Sequence, residues 1–515
     1  MSADRPSNFV KVFDTTLRDG EQAPGFSMQI EAKLIVARAL QALKVDVIEA
    51  GFAAASPGDA AAVREVAREI EGPIICSLAR VTEGDIDAAV KALEPAAKKR
   101  IHLFVGTSKL HREAKLKLTT DEILSNVARL VAYARSGCAD IEFSPEDAIR
   151  TERSFLLEAC AAAVEAGAST LNIPDTVGYT TPEEIYGLFS FLRANTPGAE
   201  KVVFSAHCHD DLGMAVANTL AAVRGGARQI ECAINGIGER AGNCSLEEAV
   251  MALATRKDYF GVETGIDTTK LYPASLALAR VTHCPIPRNK AVVGKNAFAH
   301  EAGIHQHGVM ANRRTYEIMD AEDVGMPASS IVLGKHSGKH ALAARVKALG
   351  FDVGANRLAE IFVEFKSLAD ATKEVTDADL VRLVSGEPDG RAGPWRVQRV
   401  DLRVDFEGDG RPRARVTMEH VSGERRTVVE EGGGPIDAAF AAVCAIAGVA
   451  GRIVSLDMHH LAEYEVGPVN AQAVIEVGEH RFTGLAREVD VADAAVGAFV
   501  AAVNQAVALE TAVAA

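Results

Sequence analysis

The chain has 515 residues, more than one ordinary domain holds. With 48% hydrophobic and 24% charged residues it can bury a large core, which excludes global disorder. Its formal net charge of -15 argues against nucleic acid or an anionic membrane surface as a main partner, so an anionic ligand has to be met by local cations.

Residues 1–8 carry no apolar signal core, and no run of about 18 apolar residues follows. Short β-rich runs then recur at residues 10–15, 45–51, 73–78, 101–105, 140–143, 170–173, 202–206 and 229–234. The stretches between them, such as 28–43, 60–70, 121–136, 154–166 and 212–224, are Ala-rich with helical periodicity. A repeat of about 30 residues is the length of a strand, a helix and two loops. Eight such units predict an α/β fold, a closed (β/α)8 TIM barrel over residues 1–267, with an open doubly wound sheet as the alternative.

Residues 268–383 read as a helical subdomain, interrupted by polar segments at Gly294-Lys-Asn296 and Leu333-Gly-Lys-His-Ser-Gly338. A breaker-rich linker, 384–394, separates it from a C-terminal α+β domain, 395–515. Strands are expected there at 397–406, 413–419, 453–461 and 471–477, with helices after Gly432-Gly-Gly-Pro435 and near 491–509. No catalytic constellation stands out in that domain, which suits regulation or assembly. The eight cysteines are scattered without a Cys-x-x-Cys pair and read as reduced thiols of a cytoplasmic protein.

Barrel enzymes place their functional residues at the C-terminal ends of the strands. Polar residues cluster there: Arg18 and Asp19 after strand one, Glu49 on strand two, His102 on four, Glu142, Ser144 and Glu146 on five, and Asn172, Asp175 and Thr176 on six. Strand seven carries His207 and His209 in Phe204-Ser-Ala-His-Cys-His-Asp-Asp-Leu-Gly-Met214, and strand eight runs into Asn235-Gly-Ile-Gly-Glu-Arg-Ala-Gly-Asn243. Polar groups on apolar strands cost free energy unless they are paired or used. Residues i and i+2 of a strand face the same way, so both imidazoles converge on one point. Alone, the pair equally suits two strand-end residues bonded to neighbours. Strands one, seven and eight adjoin in a closed barrel, however, which lets Asp19, His207, His209 and Asn243 meet. Two nitrogen and two oxygen donors suit a divalent ion, Zn2+, Mn2+, Co2+ or Mg2+, with positions open for a chelating 2-oxo acid.

Phe13-Asp-Thr-Thr-Leu-Arg-Asp-Gly-Glu-Gln22 resembles the N-terminal signature of the 2-isopropylmalate and homocitrate synthase family. The segment from His207 to Asn243 resembles a second signature of that family. A third is matched by Val293-Gly-Lys-Asn-Ala-Phe-Ala-His-Glu-Ala-Gly-Ile-His-Gln306, with Tyr316-Glu-Ile-Met319 and Leu333-Gly-Lys-His-Ser-Gly338 behind it. The resemblance implies condensation of acetyl-CoA with a 2-oxo acid and hydrolysis of the thioester. By position, Asp19, His207, His209 and Asn243 resemble the metal ligands, and Arg18 the residue that stabilises the developing oxyanion. Glu146 and His305 resemble an acid/base pair, Tyr316 a catalytic residue reaching the site from the helical subdomain, and Thr176 a hydroxyl on the substrate carboxylate.

His102, Ser144 and Asn172 stand where the family's 2-oxoisovalerate pocket has His, Ser and Asn. This favours 2-isopropylmalate synthesis over use of pyruvate (citramalate) or 2-oxoglutarate (homocitrate). The resemblance further implies a homodimer, K+ as a candidate activator, and feedback inhibition by leucine through a C-terminal domain resembling the family's regulatory one at Gly432-Gly-Gly-Pro-Ile-Asp-Ala-Ala-Phe440. Two departures stand out. His305-Gln-His-Gly308 carries His307 where the family pattern has Asp, and Tyr464-Glu-Val-Gly-Pro-Val-Asn-Ala-Gln472 lacks the expected Gly-rich loop.

Overall fold

The computed structural model describes residues 8–327, 333–349, 351, 353–371, 375, 379–380, 383–384, 393–403, 411–460, 469–478 and 480–514. They form two compact units, Met1–Ala299 with Glu317–Ser330, and His300–Tyr316 with Ile331–Ala515.

In the first unit eight parallel strands close in chain order: β1 (Lys11–Asp14), β2 (Val47–Glu49), β3 (Ile74–Arg80), β4 (Lys99–Gly106), β5 (Ile141–Glu146), β6 (Thr170–Asp175), β7 (Val203–Cys208) and β8 (Gln229–Cys232). β8 returns to β1 with Gln229 beside Lys11 and Cys232 beside Asp14, so the sheet is a closed barrel and not an open one. The intervening helices are α1 (Ile30–Leu43), α2 (Pro57–Glu69), α3 (Glu83–Ala92), α4 (Thr120–Gly137), α5 (Arg153–Glu165), α6 (Pro182–Asn195), α7 (Ala215–Arg224) and α8 (Leu246–Thr255). Their starts are written locally. Ser56 caps α2 ahead of Pro57, and Thr119 with Glu122 and Thr181 with Glu184 form capping boxes on α4 and α6. One continuous apolar cluster, from Val10 to Val324, packs the helices onto the outer face of the strands.

The lumen is layered, because residues two apart on a strand share a face. Its lowest layer is polar. Arg100 of β4 donates to Glu142 of β5 and to Gln229 of β8, each at 2.8 Å, and Gln229 donates in turn to Glu142 and Ser205. Arg100 is fully buried, and its charge is tolerated because Asp140 and Glu142 both meet it. Glu142 therefore belongs to this floor and not to the barrel mouth where its strand position suggested it.

In the second unit, two antiparallel three-stranded sheets each precede a helix. The first is β9 (Trp395–Arg403), β10 (Arg413–His420) and β11 (Arg425–Glu431), followed by the helix Pro435–Ala447. The second is β12 (Gly451–His460), β13 (Val469–Val477) and β14 (His480–Glu488), followed by the helix Val491–Ala514. β11 and β14 escaped the sequence reading. β11 is a largely exposed edge, Arg-Arg-Thr-Val-Val-Glu-Glu, with little apolar alternation to mark it, and it forms by pairing with β10 across a turn whose Gly423 has φ 89°. β14 is interrupted by Gly484, where a Cβ would collide with the Ala498 carbonyl oxygen of the helix packed on it. Within that helix, 491–508 reaches a mean hydropathy of 1.5, and its apolar residues Val496, Phe499 and Val503 are buried against the sheet. Residues 385–392 of the expected linker and 464–468 of the departing loop lie outside the described residues.

Candidate active site

β1 ends in a five-residue π-helical turn, Thr16–Gly20, an irregularity common at functional sites. It carries Arg18 and Asp19 to the barrel mouth. Asp19 Oδ2 lies 3.3 Å from His207 Nε2 and 3.6 Å from His209 Nε2, and the two Nε2 atoms are 3.0 Å apart. Asn243 is bridged to His209 through the backbone, and its N–H donates to Gly236 O. The glycines of its loop make room: a Cβ on Gly238 would run into the Asn243 side chain, and one on Gly242 (φ 99°) into the Gly236 carbonyl.

The donor set fits a divalent ion. Two ligands each about 2.1 Å from one ion stand roughly 3.0–3.4 Å apart, which is close to the separations here. Asn243 Nδ2 donates to Ile237 O, leaving its buried Oδ1 without a protein partner. On the far side of His207, Nδ1 lies 2.7 Å from Glu231 Oε2, the carboxylate–histidine arrangement that presents Nε2 to a metal. Burial disfavours a charged His207 ring, yet Asp19 and Glu231 on either side outweigh it and hold the pKa up at about 10. His209 is pushed down to about 3 by burial and by the positive charge of His207 beside it. Asp19 is held well below the usual carboxylate range: burial opposes ionisation, but Arg18 and the two histidines overcome it.

A second finding joins residues that the sequence suggested for different tasks. Arg18 Nε donates to Glu49 Oε2 at 2.6 Å, and His102 Nδ1 lies 2.8 Å from Glu49 Oε1. His102 Nε2 lies 2.6 Å from Ser144 Oγ, which also accepts from Asn172 Nδ2 at 2.9 Å. The chain Arg18–Glu49–His102–Ser144–Asn172 is therefore one hydrogen-bonded line from the turn after β1 across β2, β4, β5 and β6. Burial lowers the His102 pKa, but Glu49 reverses this and the net direction is upward. The ring thus meets Glu49 through Nδ1 and the Ser144 hydroxyl through Nε2.

Glu146 ends β5. Lys115, from the π-helical turn His111–Leu116, donates to both of its oxygens at 3.0 Å, and His111 Nδ1 stands 3.3 Å from Oε2. Thr176 Oγ1 accepts the Asp147 backbone N–H at 2.9 Å, so its own O–H is available to a ligand. Asp175 accepts from the Tyr179 and Thr180 backbone and shapes the turn that follows β6. In the second unit the His305 ring stacks on Tyr316, centroids 4.2 Å apart and 29° from parallel. His307 stands 6.5 Å from the His340 ring, on the same short helix Gly303–Ala311 as His305. Of the residues that hold this site together, sequence reasoning gave Glu49 no role and passed over Glu231 and Lys115. Glu49 and Glu231 are both carboxylates on fully buried strands, a placement that costs free energy unless the charge is met and so is itself a signal of a partner.

Within the first unit, the barrel mouth encloses a cavity of about 350 Å³ lined by Arg18, Asp19, Leu78, His102, Phe104, Ser144, Glu146, Asn172, Pro174, Thr176, His207, His209 and Arg240, among others. That volume suits a small molecule. Residues 9–277 match the HMGL-like family, residues 292–373 the homocitrate synthase post-HMGL domain-like family, and residues 374–507 the LeuA allosteric (dimerisation) domain. A closed barrel with a carboxylate–imidazole cluster at its mouth is thus an HMGL-like enzyme of the acyltransferase type. The chain is 49% identical to the 2-isopropylmalate synthase of Aquifex aeolicus over 97% of its own length and 96% of that protein's. It is 49% identical to that of Rhodopirellula baltica, over 97% and 94%, and 48% identical to that of a Caulobacter species, over 96% and 94%. The chain belongs to the 2-isopropylmalate synthase family. Among solved structures, an HMG-CoA lyase from Brucella melitensis is similar over 54% of this chain and 99% of that one, with 20% identity and a TM-score of 0.46.

Proposed function

We propose that this chain condenses acetyl-CoA with 2-oxoisovalerate and hydrolyses the thioester, giving 2-isopropylmalate and CoA, the first step of leucine biosynthesis. The observation that carries this reading is the Asp19–His207–His209 cluster beneath a cavity walled by Leu78, Phe104 and Pro174. Apolar walls suit a branched alkyl side chain. A distal carboxylate would need a cation of its own, whereas Arg18 and Lys115 are engaged by Glu49 and Glu146 and Arg240 lies on the Thr176 side, where the carboxylate common to every 2-oxo acid is placed.

In this reading Asp19, His207, His209 and Asn243 hold a divalent ion, Mn2+, Zn2+, Co2+ or Mg2+, which supplies Lewis-acid polarisation of the substrate ketone. Arg18, held by Glu49, neutralises the alkoxide that grows on the former ketone oxygen. Thr176 donates to the substrate carboxylate. His102, Ser144 and Asn172 select the side chain. Glu146 and His305 are assigned the acid and base roles for the acetyl methyl proton or the hydrolytic water, and Tyr316 stacks on the His305 ring.

In this reading residues 1–267 are the catalytic barrel, 268–383 a helical subdomain, and 395–515 the part that regulates and dimerises. The match to the LeuA allosteric (dimerisation) domain supports a homodimer inhibited by leucine. Eight unpaired cysteines are in keeping with a cytoplasmic setting.

The test is release of CoA thiol from acetyl-CoA with 2-oxoisovalerate, pyruvate and 2-oxoglutarate, each with and without leucine. Preference for 2-oxoisovalerate is the expected result. Turnover with pyruvate or 2-oxoglutarate alone would overturn the substrate assignment in favour of citramalate or homocitrate synthesis.

A further inference from the structure

Arg240 was not singled out by any catalytic pattern, yet its placement is unusual. It sits in the left-handed region, φ 57°, inside the loop that brings Asn243 to the site. A long side chain rarely adopts that conformation, and such strain persists where the surroundings hold it. Here the surroundings are polar and specific. Arg240 Nε and Nη2 form a forked pair with Asp211 Oδ1 and Oδ2 at 2.7 and 2.8 Å, and Nη2 also donates to the Thr176 carbonyl at 2.9 Å. Gly178 permits the approach of Asp211, since a Cβ there would strike the Asp211 carboxylate. One guanidinium thus ties together the loops that follow β6, β7 and β8. It also lines the cavity, and its bonds to Asp211 and Thr176 engage Nε and Nη2 but not Nη1.

The charges of the cavity single it out further. Its lining contains three side chains that are cationic whatever the protonation of the histidines: Arg18, Lys115 and Arg240. Arg18 is engaged by Glu49 and Asp19 next to the ion's place, and Lys115 spans both oxygens of Glu146. Arg240 is the cation on the Thr176 side, with a rigid planar fork already anchored along one edge.

We propose that Arg240 is the group that recognises the carboxylate of the 2-oxo acid, Nη1 pairing with it while Nη2 fixes the loop that presents the Thr176 hydroxyl to the same carboxylate. This rests on the 2-oxo acid reading above and deepens it. Lysine at 240 supplies a point charge that cannot pair with Asp211 and a carboxylate in the same fixed geometry.

The test uses the full-length, Mn2+-loaded protein and Arg240→Gln and Arg240→Lys. Binding of 2-oxoisovalerate is measured by calorimetry without acetyl-CoA, alongside KM for each substrate, kcat and metal content. For Arg240→Gln we expect Kd and KM for the oxo acid to rise at least about 10-fold, with KM for acetyl-CoA within about twofold and metal content unchanged. Arg240→Lys should fall between the two. The methyl ester of 2-oxoisovalerate, used as a competing ligand, should bind wild type and Arg240→Gln alike. Unchanged oxo-acid affinity in Arg240→Gln, or equal losses for the acid and its ester, would overturn the proposal in favour of a purely structural tie. Wild type that binds the oxo acid through Arg240 but releases no CoA would sink the synthase reading and leave this one standing.

Discussion

His207 Nδ1 and Glu231 Oε2 stand 2.7 Å apart, and this bond orients the ring so that Nε2 faces Asp19 and His209. Both groups are buried, so the bond is poorly screened by solvent. Removing the carboxylate charge should therefore loosen whatever Nε2 holds. Glu231→Gln is expected to weaken divalent-metal affinity by about 10–100-fold, read as metal retained against a chelator series. Wild-type retention in that variant would remove Glu231 from the metal site.

The line Arg18–Glu49–His102–Ser144–Asn172 makes a prediction about a residue that does not itself line the cavity. Glu49→Gln removes the charge that anchors Arg18 and raises the His102 pKa. A drop of at least about 10-fold in kcat/KM, equivalent to about 1.4 kcal/mol, is expected with metal content unchanged. Steady-state kinetics alongside metal analysis checks it. Loss of metal together with activity would show that Glu49 supports the ion and not the arginine.

Asp14 is fully buried beneath the mouth, and burial raises its pKa to about 7 despite two hydrogen bonds from Thr16. Between the unfolded value near 3.8 and about 7 the folded state binds the extra proton, so wild-type stability falls as pH rises through that window. Asp14→Asn keeps an acceptor for the Thr16 N–H and does not titrate. Its melting temperature relative to wild type should be higher at pH 8 than at pH 5. A difference independent of pH would mean that Asp14 is ionised in the folded protein throughout.

The C-terminal sheets offer a test remote from the chemistry. Asn504, nearly buried on the last helix, accepts the Trp395 N–H at 3.1 Å and donates to the Trp395 carbonyl at 2.9 Å, so both ends of its amide are committed to β9. Asn504→Ala leaves these backbone groups unpaired and should cost about 1–3 kcal/mol. Denaturant unfolding should locate the loss in the C-terminal module, and leucine inhibition should weaken with it. The kcat without leucine should stay within about twofold. A fall in basal kcat as large as the loss of leucine response would contradict a regulatory role for this module.

Much of the site was legible in the sequence because strand period and barrel closure are strong constraints. His207 and His209 are two apart on one strand, and closure of β8 on β1 makes Asp19 and Asn243 their neighbours. Glu49 and Glu231 were harder to see, because a carboxylate on a buried strand has no meaning until its partner is known. Glu142 shows the same difficulty from the other side. It occupies the strand face of Ser144 and Glu146, yet it is one layer deeper and pairs with Arg100.

The eightfold repeat by itself determined an α/β chain of eight strand–helix units, since each unit carries its own periodicity in a few neighbouring residues, and the pairing of β8 with β1 decided that the sheet closes. The tertiary structure alone decided which polar groups meet. It joined Arg18 to Asn172 through residues 154 positions apart in sequence, set Arg240 against Asp211 and Thr176, and paired the exposed strand β11 with β10. Such pairings depend on distances across the lumen and between loops. Those distances are set by closure and packing, which no local pattern of residues encodes.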